Sequence, residues 1–126
     1  MNVERVADLF VYREAFGVAM DLFDASRSWP REERYALTDQ VRRSSRSVCA
    51  NTAEAWAKRR YPNHFASKLS DAHAEAEETL TWIAFAHSCG YLDAPAADAL
   101  GVRCRKVIGG LVRMSADRQR WCAPIE

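Results

Sequence analysis

Helical spacing runs almost unbroken along this chain and leaves little room for any class but all-α. Proline and glycine punctuate it at few places. Pro30, Pro62 and Pro95 each stand where a helix can begin, because the fixed φ of proline suits the first helical turn. Gly90 follows a long periodic run and reads as a helix stop. No run alternates apolar and polar residues as a half-buried strand would, and no internal repeat is visible.

The spacing predicts four helices. The first runs from about Asp8, a suitable N-cap, to Ser26. Leu9, Tyr12, Phe16, Ala19, Met20 and Phe23 recur at steps of three and four and make its predicted core face. Val11, Val18 and Leu22 form a second apolar strip on the opposite side. The second helix runs from Pro30 or Arg31 to Arg59, with Leu37, Val41, Ser45, Val48, Thr52 and Ala55 inward; such small residues let another helix come close. The third runs from Pro62 to Cys89 on a seam of Phe65, Leu69, Ala72, Ala76, Leu80 and Ile83, with Trp82 and Phe85 on an outer face. The fourth runs from Asp93, a further cap, to Ser115 on Leu100, Cys104, Val107, Leu111 and Met114. Gly109 and Gly110 in its interior each cost about 1 kcal/mol against alanine, which points to close backbone contact there. Short connections between four amphipathic helices give an antiparallel up-down-up-down bundle. Val11, Val18, Leu22, Trp82 and Phe85 exceed what one bundle needs, so they are the candidate oligomer interface.

At 126 residues the chain fits one domain, residues 1–126, with its core over about 9–115 and a loose tail at 116–126 apart from Trp121. Four Trp, four Tyr and five Phe argue against disorder. No signal peptide or membrane-length apolar run is visible, so a cytoplasmic location without membrane contact is expected. Cys49, Cys89, Cys104 and Cys122 form no close pair; they read as buried, reduced, small hydrophobes, with no zinc site.

Net charge is +1, but it is unevenly placed. Residues 1–26 carry −3, residues 27–60 carry +5, residues 61–101 carry −5 and residues 102–126 carry +4. Alternating blocks let neighbouring helices attract, and the basic ones also suit an anionic partner. A helical wheel places Arg31, Arg42, Arg46 and Arg60 within about 60° of each other. Arg42, Arg43 and Arg46, with Lys58, Arg59 and Arg60, are the candidate phosphate contacts, because the planar guanidinium bonds two oxygens at once. Tyr61 offers a ring for a base. Pairing of these arginines with Asp71, Glu75 or Glu78 is the competing reading.

Catalytic constellations are missing from the sequence. His64, His73 and His87 lack the glutamate three positions earlier that a di-metal bundle uses. His73 and Glu77 make a surface pair at best. No serine sits in a nucleophile elbow, and no phosphate-binding glycine loop occurs. No cofactor and no small-molecule substrate are expected.

The run from Tyr35 to Ala55 carries Leu37-Thr38, Gln40, Arg42-Arg43 and then Asn51, Ala53-Glu54. It resembles the signature of the four-helix bundle proteins encoded in intervening sequences of bacterial 23S ribosomal RNA genes. The stretch Lys58-Arg59-Arg60-Tyr61, Phe65, Ser67 to Ala72, Glu75-Ala76, Glu78-Thr79, Trp82 and Cys89 to Leu92 is similar to one branch of that family. Cys49 and Ala55 depart from the proline and glycine the family often has, and both changes favour a continuous second helix. The resemblance covers roughly residues 9–115 and implies an antiparallel bundle without enzymatic activity. It also implies a homo-oligomeric ring, a pentamer, and association with RNA or with reverse-transcription machinery. It carries over no binding residues. A nucleic-acid-associated ring, binding RNA or DNA, and an adaptor bundle that binds a partner protein both remain open.

Overall fold

The structure, a computed structural model, describes residues 3–122. The chain forms four long helices, α1 (Phe10–Ser26), α2 (Asp39–Ala57), α3 (Pro62–Ser88) and α4 (Ala94–Ala116), followed by a short α5 (Arg118–Trp121). No strand occurs among the described residues. α1 packs on α2 and α4, and α3 packs on the same two. Two apolar clusters fill the interior. One gathers Val11 and Ala15 from the start of α1, Ala55 from the end of α2, Phe65 and Leu69 from the start of α3, and Leu111 and Met114 from the end of α4. The other joins Leu22 late in α1, Val41 early in α2, Ile83 and Ala86 late in α3, and Leu100 early in α4.

α1 overturns most of the expected assignment of its two strips: of the expected core face only Leu9 and Ala19 are buried. Val11, Ala15, Val18 and Leu22 are buried, whereas Phe16 and Met20 are 52% and 44% exposed, with Tyr12 and Phe23 half-buried at the margin. Val11, Val18 and Leu22 are therefore core and offer no oligomer interface. The helix is apolar on nearly every side, so spacing alone does not choose its inner face. Fit does. The Val11 side chain lies where a Cβ on Gly110 would be, so α4 receives α1 through that residue. Asp8 does not cap α1 either. Its carboxylate accepts the Arg5 N–H at 3.1 Å and closes a 3-10 turn over Val6–Asp8, and the buried Leu9 occupies the N-cap position.

α2 begins later and ends sooner than the spacing predicts. Arg31–Glu33 winds as a 3-10 turn and Arg34–Thr38 as a π turn, and the regular helix stops at Ala57. The helical wheel therefore fails at Arg31 and Arg60, and of that stripe only Arg42 and Arg46 share the regular helix. The inner face holds as expected: Leu37, Val41, Ser45, Val48, Thr52 and Ala55 are all buried. Its hydroxyls find partners within the core, as buried polar groups must. Ser44 Oγ and Thr79 Oγ1 lie 2.8 Å apart across α2 and α3, and Thr52 Oγ1 donates to the Val48 carbonyl at 2.7 Å.

α3 and α4 follow the sequence closely. Pro62 sits in the first turn of α3, and Gly90, at φ 81°, ends it. The Tyr91 N–H then reaches back to the Ala86 carbonyl at 2.8 Å, the six-to-one bond of a left-handed glycine stop. The Asp93 carboxylate accepts the Ala96 N–H at 2.8 Å and caps α4. On the expected α3 seam Leu80 is only half-buried and Thr79 goes inward instead. The tail is less loose than expected: Trp121 of α5 stands edge-on to Trp56, with ring centroids 6.0 Å apart, and Cys122 is buried. Residues 123–126 of that tail, Pro124 among them, lie outside the described residues.

Candidate functional site

The arginines of α2 divide between its two flanks. On the flank toward α3, Arg43 donates to both carboxylate oxygens of Glu75 at 3.2 Å and to Glu78. Ser47 adds a 3.0 Å bond to Glu75, and Trp82 Nε1 donates to Glu78 at 3.0 Å. Hydrogen bonds to Glu75 and then Glu78 raise Arg43 above its ordinary value. Burial pushes Glu78 upward, but its bonds from Trp82 and Arg43 outweigh that and hold the carboxyl below the usual range. Nearby, Lys68 is taken up by Glu54 at 3.5 Å and Asp71 at 3.7 Å.

On the flank toward α1, the guanidinium carbons of Arg42 and Arg46 lie 4.7 and 5.6 Å from the centroid of the Phe23 ring. Arg27, just past the end of α1, is 5.3 Å from the same centroid. Three cations thus converge on one half-buried ring, a cation–π arrangement that fixes their direction. Arg42 Nε also donates to Ser26 Oγ at 2.8 Å, which leaves its terminal fork free of any acceptor among the described residues. The one carboxylate paired here is Asp24, 3.9 Å from Arg27, both largely exposed. Sequence reasoning did not single out Arg27; its signal was membership of the +5 block.

The remaining candidates lie beyond α2. Arg59 donates to the Trp56 carbonyl at 2.9 Å and stacks 3.6 Å from the Trp56 ring centroid. Lys58 and Arg60 are exposed at the helix end, as is Tyr61, whose ring leans on His64 at 5.5 Å. Of the expected interface pair, Phe85 is 55% exposed, but Trp82 packs against the core and is tied to Glu78.

Among the described residues no three His, Cys, Asp or Glu side chains come together as metal ligands would. His73 and Glu77 form an exposed pair at 3.4 Å. All four cysteines are free; burial raises Cys49 and Cys104 to about 11, which keeps them as thiols, while Cys89, expected inside, is exposed. No helix among the described residues is long and apolar enough to cross a membrane.

A family model described as 23S rRNA-intervening sequence protein matches residues 7–113. The chain belongs to that family. A solved structure shares the fold of this intervening-sequence family member at a TM-score of 0.73. It is a protein of unknown function of the S23 ribosomal protein family from Bacteroides thetaiotaomicron. The match has 19% identity and covers 83% of this chain and 97% of the other. No curated protein matches the chain.

Proposed function

We propose that this intervening-sequence protein is a non-enzymatic, antiparallel up-down-up-down bundle that assembles with its own copies into a pentameric ring and associates with RNA in the cytoplasm. The two apolar clusters support the topology, since each joins the beginning of one helix to the end of the next. The observation that carries the RNA reading is the convergence of Arg27, Arg42 and Arg46 on the Phe23 ring with a single exposed carboxylate beside them. Arginine forks held at the surface and left unneutralised suit backbone phosphates. Arg43 is set aside, because Glu75 and Glu78 already neutralise it. Lys58 and Arg60 extend the cationic surface beyond α2.

Electrophoretic shifts with RNA and DNA across a salt series test this reading. Replacing Arg42, Arg46 and Arg60 together by alanine is expected to weaken RNA binding and to flatten its salt dependence, by up to about one unit of slope per lost contact. Light scattering checks the ring. Absence of RNA binding even at low salt would favour the second reading, an adaptor for a partner protein. For that role the exposed Phe16, Met20 and Phe85 are the contacts.

A further inference from the structure

The outward face of α4 carries cations of a different kind. Arg103 is spent: it donates to Glu14 of α1 and to Asp21, both at 2.5 Å. Arg105, Lys106 and Arg113 are exposed and engage no carboxylate among the described residues. They border a groove of about 460 Å³ whose other walls are Phe10, Val102 and Gly109. Phe10 is 48% exposed and Val102 45%. Asp8 and Asp117 in the adjoining hollow are already paired with Arg5 and Arg120, and Asp98, exposed one turn before Val102, is the single acid of α4 itself.

Two glycines shape this face. A Cβ on Gly101 would stand 3.2 Å from Arg105 Nη1, and one on Gly109 would stand 3.3 Å from Arg113 Nη1. In each case an arginine four positions on folds back along the helix, as side chains on a helix lean, and settles over a residue without a side chain. The motif Gly-x-x-x-Arg thus occurs twice, eight residues apart. It holds two forks low against the backbone, about 12 Å apart along the axis.

We infer that this groove binds a single-stranded segment of RNA, with its phosphates on Arg105, Lys106 and Arg113 and a base against the Phe10 ring. The charge is complementary, and an exposed aromatic beside a cationic track is what an unpaired base needs, whereas a duplex hides its bases from such a ring. The inference rests on the proposed RNA association and adds a second surface to it, on another side of the bundle from Phe23.

The test is a fluorescence-anisotropy titration of the full chain with a labelled oligouridylate and with a short RNA duplex, at several KCl concentrations. The variant Arg105→Ala/Lys106→Ala/Arg113→Ala is expected to lose at least about tenfold in oligouridylate affinity. Its salt slope should fall by about 0.7 for each phosphate contact removed. Phe10→Ala should lose about 5- to 150-fold, the range of one base stack, with the slope unchanged, and Phe10→Trp should retain binding. A folded triple variant with wild-type affinity and slope overturns the inference. If Arg42→Ala/Arg46→Ala then removes binding, the RNA reading stands without it. Wild-type protein that binds no RNA overturns both. Equal affinity for duplex and oligouridylate, with Phe10→Ala silent, overturns the single-strand assignment. Should the triple variant fail to fold, Arg105→Gln alone is expected to remove one contact's share of the slope, and an unchanged slope there overturns the inference.

Discussion

α2 and α4 both expose arginines at helical spacing on the side away from a buried inner face, yet they commit them differently. On α2, Arg43 is held by two glutamates and Arg42 by Ser26 and Phe23, and just past its end Arg59 is held by Trp56. On α4 only Arg103 is paired with acids, while Arg105, Lys106 and Arg113 stand clear. Both helices are net basic, α2 with three cations and two acids and α4 with four cations and one acid. The difference lies in which neighbour each step around the helix meets. α2 turns one flank to the acidic α3, whereas the outward face of α4 turns to no helix. A basic block in a sequence therefore marks available charge only where no acidic helix lies beside it.

The comparison predicts that the inner faces are equally intolerant and the outer faces are not. Val48→Trp on α2 is expected to have the largest effect. The void beside Val48, lined also by Ala15, Ala76 and Val107, is only about 10 Å³, so overpacking should remove about 1–3 kcal/mol or more. A melting temperature equal to wild type would show that this face is not core. Gly110→Ala on α4 comes next. The new methyl meets Val11 directly, so a loss of about 1–3 kcal/mol of overpacking strain is expected, offset in part by the helix preference of alanine. Thermal melts decide it, and a stabilised variant would show that α1 can move away.

Arg43→Ala should cost less, about 0.5–1 kcal/mol, because the network is partly exposed. Its pH dependence is more telling. The Glu78 carboxyl is held low in the folded state, so its contribution is present above the ordinary carboxylate range and is lost as pH falls through the lowered folded value. The melting difference between wild type and Arg43→Ala should therefore shrink on acidification; a difference constant from neutral pH into strong acid would place Arg43's role elsewhere. Gly109→Ala closes the series with the opposite sign. Only the flexible end of Arg113 lies near, so alanine should stabilise the helix by up to about 1 kcal/mol. Destabilisation there would mean that the Arg113 fork is bound more firmly to the backbone than a solvent-facing side chain.

Much of this was legible in the sequence. The α3 seam, the Gly90 stop and the Asp93 cap are local signals, each written within a few residues, and the structure repeats them except at Leu80, whose inward place Thr79 takes. The inner face of α2 was legible because Leu37, Val41, Ser45, Val48, Thr52 and Ala55 keep to steps of three and four with no charge among them. α1 was not, because aromatic and aliphatic strips compete on it and the choice rests on the fit of Val11 to Gly110, a residue nearly a hundred positions away. The beginning of α2 was hidden because π winding leaves no composition signature. For the candidate site, the sequence located the basic blocks but could not divide them. Whether Arg42 or Arg43 is neutralised depends on a single step around the helix and on which neighbour stands there.

The contact between Trp56 and Trp121 has an optical consequence. It joins two indoles from elements far apart in the chain, edge to face, with the Arg59 cation stacked on one of them. Indole emission responds to such neighbours, so release of α5 from the end of α2 changes the fluorescence of this pair while the buried helices stay packed. The molecule thus carries an internal probe of its own fraying, sensitive to anything that seats on or lifts that end of the bundle.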